Sequence, residues 1–156
     1  MTTDRETLDR QTLDRLFRYC FALTGQREDA EDLLHNSLEK YIHSRPGLVE
    51  NTVAYIMRIA RNSFIDQQRR QHHLPFDTTD GLDYLSDPED DLENTIIDRL
   101  TLEKVWESLN PAEREAVYLW AVEGLSASEI GRFLDEPRGT ILSRLHRLRR
   151  RVATTL

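Results

Sequence analysis

Apolar residues recur every three to four positions through most of this 156-residue chain, the period of an α-helix with one buried face. Leu13, Leu16, Phe17, Cys20 and Leu23 predict a helix over 6–24, closed at Gly25, where a positive φ suits a C-terminal cap. Ala30, Leu34, Leu38 and Tyr41, broadened by Leu33 and Ile42, predict a second over 28–43. SRPGL at 44–48 breaks the chain, and Val53, Ile56, Met57, Ile59, Ala60 and Phe64 predict a third helix over 52–70. The period is lost over 73–94, where two prolines, one glycine and many acids predict a flexible, extended linker. It returns over 95–109 with Ile96, Leu100, Val105, Trp106 and Leu109. Asn110, Pro111 and Glu113 then supply a cap, a first-turn proline and a capping glutamate, and Ala116, Val117, Leu119 and Trp120 give that helix its inner face, ended by Gly124.

The last stretch, SASEIGRFLDEPRGTILSRLHRLRRRV at 126–152, reads as two short helices with a tight break. Ser126 and Glu129 form a capping box, and Ile130, Phe133 and Leu134 give the first helix its apolar face. Asp135, Glu136 and Pro137 interrupt it, because proline disfavours α conformation in the residue before it. The second helix starts near 138–140 and carries Ile141, Leu145, Leu148 and Val152 in one stripe, with Thr140, Arg144, Arg147 and Arg151 expected on the opposite side. An arginine front, an apolar back and a preceding short helix are what a helix-turn-helix needs to enter a major groove. A basic amphipathic helix is also an ordinary solvated face. The capping box and turn at the right spacing favour the DNA reader.

The pattern therefore predicts an all-α chain of two small helical domains, 1–72 and 95–156, joined by a flexible acidic linker at 73–94. Charge sharpens this division. The net charge of −7 is unlike a DNA-binding protein, but residues 1–72 sum to 0, 73–98 to −9 and 99–156 to +2. From residue 138 onward there are six arginines and no acid, an arrangement rewarded by counterion release on a duplex. Weak DNA affinity of the free chain is the expectation.

Candidate chemistry is confined to binding. Glu28, Asp29, Glu31 and Asp32 crowd a helix start, where the helix dipole favours them. Four acids in five positions exceed that need, and a docking surface for a basic partner is the alternative. In the third helix Tyr55, Asn62, Gln67 and Gln68 lie among Arg58, Arg61, Arg69 and Arg70, a mixture suited to single-stranded nucleic acid. Tyr55 reads equally well as a half-buried core ring. Cys20 is the only cysteine, so it predicts a small core residue, with neither a disulfide nor a cysteine zinc site. His72 and His73 are adjacent and make a poor metal pair, so no metal, cofactor or catalytic residue is expected. No apolar run approaches the ~20 residues of a membrane span, and the charged start MTTDRETLDR lacks a signal-peptide core, which predicts a cytoplasmic location. Zinc-protease, phosphate-loop and nucleophile-elbow motifs are all missing, which argues against a hydrolase. Two binding classes stand: a subunit that reads DNA only within a larger machine, and a stand-alone helix-turn-helix regulator with an N-terminal sensing or dimerising domain.

Three stretches, in order, resemble the ECF-type (extracytoplasmic function) sigma factors of bacterial RNA polymerase, in the sigma-70 family. LTGQREDAEDLLHNSL is similar to region 2 where it meets polymerase, and RIARNSFIDQQRR to the helix that melts and reads the −10 element. LNPAEREAVYLWAVEGLSASEIGRFLDEPRGTILSRLHRLRRR is similar to region 4. The resemblance implies a non-enzymatic promoter-specificity subunit. It implies that Asp29, Glu31, Asp32, His35 and Asn36 meet the polymerase clamp helices, with the flap as a second contact. It implies that Tyr55, Arg58, Arg61, Asn62, Arg69 and Arg70 melt and hold the −10 element, and that Arg138, Thr140, Ser143, Arg144, Arg147 and Arg151 face the −35 element. It also implies a linker threaded toward the active-site channel and an anti-sigma partner. The chain departs from the family at His35 and Asn36, where Gln and Glu are usual, at Tyr55 for a common Trp, at Asp135 for Gly, and at Leu142 for a common Lys.

Overall fold

The computed structural model describes residues 8–44, 51–72 and 105–155, with side chains to 151. Six α-helices are described, and among these residues there is no strand. They are α1 (Arg10–Thr24), α2 (Arg27–Ser44), α3 (Thr52–His72), α4 (Pro111–Val117, continued by a π-helical turn, Tyr118–Val122), α5 (Ala127–Leu134) and α6 (Arg138–Thr155). The expected linker at 73–94 and the start of the helix expected over 95–109 lie outside the described residues. The chain divides into two compact units, Met1–Phe76 and Asp77–Leu156.

In the first unit α1, α2 and α3 pack pairwise against one another. Asp9 caps α1 by accepting from the Thr12 amide at 2.8 Å, and Gly25 closes it at φ 74°. Leu16, Tyr19, Cys20 and Leu23 meet Ala30 and Leu33 of α2 and Ile56, Ala60 and Phe64 of α3 in the core. Burial pushes the Cys20 thiol up to about 12, as expected of a core cysteine. The face of α2 differs from the expected one. Ala30, Leu33 and Ser37 are its buried residues, while Leu34, Leu38 and Tyr41 are half-buried and Ile42 is exposed. Ser37 occupies the centre because its hydroxyl donates to the Leu33 carbonyl at 2.6 Å, which satisfies the only polar atom of a small side chain at the helix contact.

In the second unit α6 packs against α4 and α5. Asn110 and Glu113 form the expected capping box, with bonds of 3.0 and 2.8 Å. The helix expected to run to Gly124 widens at its end. The Glu123 amide donates to the Tyr118 carbonyl at 3.1 Å, and the Tyr118 hydroxyl donates to the Glu123 carboxylate at 2.8 Å. A π turn holds one more residue than an α turn, so both Tyr118 and Leu119 remain buried while Val122 emerges.

Candidate nucleic-acid interface

In the first unit the helical packing leaves one acidic edge and one mixed stripe outward. Asp29, Glu31, Asp32, His35 and Asn36 are all exposed on α2. Glu31 accepts from Arg27 one turn earlier at 3.2 Å, an exposed pair of small energetic weight. Asp29, Asp32, His35 and Asn36 line one side of a groove of about 600 Å³, and Asp66, Gln67 and Arg70 of α3 line the other. Lys40 bridges the helices by donating to the Ser63 hydroxyl at 2.7 Å.

On α3, at about 100° per residue, Tyr55, Arg58, Asn62 and Arg69 fall within a stripe about 60° wide. Arg58, Asn62 and Arg69 are exposed. Tyr55 is half-buried and stands edge-on to Tyr41, with ring centroids 5.9 Å apart. The ring thus combines an anchored edge with an accessible surface. Arg61 does not join this stripe. It is 9% exposed, because it lies about 90° from the stripe, beside the core position Met57. Arg70 is exposed and belongs to the groove.

The second unit contains the helix-turn-helix. Ser126 and Glu129 cap each other across two 3.1 Å bonds. Asp135 takes the left-handed conformation at φ 57°, as its place in the turn required. The turn closes tightly: the Glu136 amide donates to the Gly131 carbonyl at 2.9 Å, and a Cβ on Gly131 would lie 2.6 Å from the Glu136 carbonyl oxygen. That approach is the physical reason for glycine here, at an ordinary helical φ.

The six residues expected to face DNA do not form one exposed front. Arg138 is exposed and Arg147 and Arg151 are half-exposed, but Thr140, Ser143 and Arg144 are buried. The expectation that Thr140, Arg144 and Arg151 oppose the apolar stripe is corrected. At about 100° per residue, Arg144 and Arg151 stand about 70° and 90° from the centre of that stripe, on a flank. A flank can be reached by the turn and by α4. Arg144 donates from Nη2 to Glu136 Oε2 at 2.8 Å, with the two side chains 5% and 9% exposed. Arg151 pairs through Nη1 with Glu113 and donates from Nη2 to the Ser108 carbonyl at 3.0 Å. Glu136 and Glu113 were not singled out as partners from the sequence. They stand eight and 38 residues from their arginines, spacings that carry no helical signal.

Among the described residues no group of three or more His, Cys, Asp or Glu side chains could hold a metal ion, and no helix is long and apolar enough to cross a membrane.

Two family models match the chain in order: Sigma-70 region 2 over residues 8–73 and Sigma-70 region 4 over 99–152. The chain belongs to the ECF sigma factors. The chain is 35% identical to the ECF RNA polymerase sigma factor SigE of Mycolicibacterium smegmatis, over 94% of its own length and 59% of that protein's. It is 28% identical to SigL of Mycobacterium tuberculosis, over 90% of its length and 82% of that protein's. In fold it resembles the sigma factor RpoE of Bartonella quintana, solved in complex with the anti-sigma factor NepR, with a TM-score of 0.64 over 95% of this chain and 92% of that one at 22% identity. With region 2 matching the α1–α3 bundle and region 4 matching the helix-turn-helix, this sigma factor carries one family region in each unit.

Proposed function

We propose that the chain is a promoter-specificity subunit that binds core RNA polymerase, recognises −35 and −10 elements and assists melting at the second. The observation that carries this reading is the presence of both sigma regions, in order, on one chain. The exposed acids of α2 offer a basic clamp helix several charge-assisted contacts along one edge. The stripe of α3 supplies an anchored ring, an amide and two cations, the groups that hold an unstacked base and its backbone. Arg138 and Arg147 of α6 face the −35 duplex. Polymerase supplies binding energy that neither small unit has alone.

The chain acts in the cytoplasm, without catalytic residues or a resident cofactor, and an anti-sigma factor holds it inactive, as a partner of this class is bound to the Bartonella relative. A stand-alone regulator is disfavoured by the family assignment. Run-off transcription with purified chain and core polymerase tests the reading, using a pool of fragments with randomised promoter elements. Promoter-dependent transcripts are expected. Tight binding of a palindromic duplex by the chain alone, with no transcript from any template, would reject it.

A further inference from the structure

Arg144 and Arg151 count toward the basic face when the sequence is read, yet each is held by a carboxylate of its own unit. Both side chains of the Arg144–Glu136 pair are almost wholly buried, 2.8 Å apart. Arg144 cannot turn into a groove without leaving a buried carboxylate behind, which is strongly unfavourable. Glu136 lies in the turn that joins α5 to α6, so the pair ties the turn to α6 two helical turns further on. The second tie works on α4. Glu113 accepts the Asn110 amide through Oε1 at 3.0 Å and meets Arg151 through Oε2, so one side chain caps α4 and fastens α6. Arg151 also holds the Ser108 carbonyl at 3.0 Å, a second attachment before α4.

We propose that Arg144 and Arg151 are positioning residues, and that Glu136 and Glu113, which touch no DNA, fix the angle at which α6 meets the −35 element. The buried Arg144–Glu136 tie is the dominant one, because the Arg151 side chain is 41% exposed and its pair is more screened. The charge that α6 offers a duplex is then smaller than its arginine count suggests, and of the arginines expected to face the −35 element Arg138 and Arg147 are the two outside these ties. This proposal rests on the DNA-reading role of α6 given above.

The test uses the full chain with core polymerase and a promoter fragment selected by the wild-type holoenzyme from a library randomised at −35. Four variants are compared: Glu136→Gln, Arg144→Ala, the two combined, and Arg147→Ala as the direct-contact control. The readouts are promoter selectivity, the salt dependence of holoenzyme binding and the thermal midpoint of the free chain. Glu136→Gln is expected to relax −35 selectivity as much as Arg144→Ala does. The double variant should be no worse than either single one, and the salt slope should stay at its wild-type value. Arg147→Ala should lower the slope by about 1. If Arg144→Ala lowered the slope by about 1, or if Glu136→Gln kept wild-type selectivity while Arg144→Ala lost it, Arg144 would be a reader and the proposal would fall. Should the single variants unfold, the apolar replacement of the pair, Glu136→Leu with Arg144→Met, restores packing without charge. It retains the salt slope if Arg144 positions α6 and loses about 1 if Arg144 contacts phosphate. A wild-type holoenzyme indifferent to the −35 sequence would overturn the reading of α6 itself, a result seen before any variant is made.

Discussion

The two units use arginine in opposite ways. In the first, Arg58, Arg69 and Arg70 stand outside a core assembled from α1, α2 and α3, and among its described arginines only Arg61 is drawn in. In the second, two arginines of α6 are paired with glutamates, one of them in the interior. The contrast follows from helix length. Helices of 15, 18 and 21 residues can bury apolar faces against each other and leave their outer faces to a ligand. The helix-turn-helix has a first helix of eight residues, and its angle to α6 has little apolar area to fix it. Polar ties across the turn provide that constraint.

The largest effect that separates the units is the stability cost of removing an arginine. Arg144→Ala leaves the buried Glu136 side chain without its guanidinium partner and should cost about 3–5 kcal/mol. Arg69→Ala, on an exposed face, should stay within about 0.5 kcal/mol. Chemical denaturation monitored by circular dichroism gives both values, and equal costs would erase the contrast. The tightness of the turn predicts the next effect. Gly131→Ala drives a methyl group against the Glu136 carbonyl at 2.6 Å and should cost about 1–3 kcal/mol. Gly139→Ala, with nothing within 4 Å, should be neutral or stabilising by up to about 1 kcal/mol. A harmless Gly131→Ala would show that the turn gives way freely.

The acidic edge of the first unit is tested by function more than by stability. Reversal of Asp29 and Asp32 to lysine should weaken capture of core polymerase about tenfold or more, equivalent to about 1.4 kcal/mol. The fold should survive, since both side chains are exposed and only a dipole contribution of about 0.3–1 kcal/mol is at stake. Undiminished co-purification with core enzyme would remove the clamp-docking role from these residues.

Local chemistry in the sequence was a dependable guide to both units. The caps at Asn110 and Ser126, the left-handed Asp135 and the glycine end of α1 each depend on neighbours within a few positions, and each is present. Periodicity was less exact where a helix touches two others. On α2 the buried row runs through Ser37, which no hydrophobic count selects. On α6 the wheel separated an apolar back from a basic front, but a third surface, the flank, is filled by Arg144. Which flank a turn can reach depends on the three-dimensional path of residues 135–137, and that path is invisible to a wheel. The same limit explains why Glu136 and Glu113 were not expected as partners of Arg144 and Arg151.

The smallest effect concerns acid, and the chain carries a separate reporter for each unit. Asp9 is held below its ordinary 3.8 by hydrogen bonds from the Thr12 side chain and backbone. Glu129 is held below 4.5 by the Ser126 backbone amide and hydroxyl. A depressed carboxylate contributes stability above its unfolded value and loses it as pH falls through the folded one. Acid should therefore loosen each unit as pH drops below about 4.5 in the second and below about 3.8 in the first, modestly, because both groups are exposed. Both tryptophans, Trp106 and Trp120, belong to the second unit, and Cys20, the sole thiol, is buried in the first. Tryptophan fluorescence and the reaction of Cys20 with dithiodipyridine thus follow the two units independently in one sample. Glu129→Gln should flatten only the fluorescence change, and Asp9→Asn, which retains a capping oxygen, only the thiol change. If either substitution moved both signals together, the units would unfold as one cooperative body, and the difference drawn between their interiors would have to be sought within a single structure.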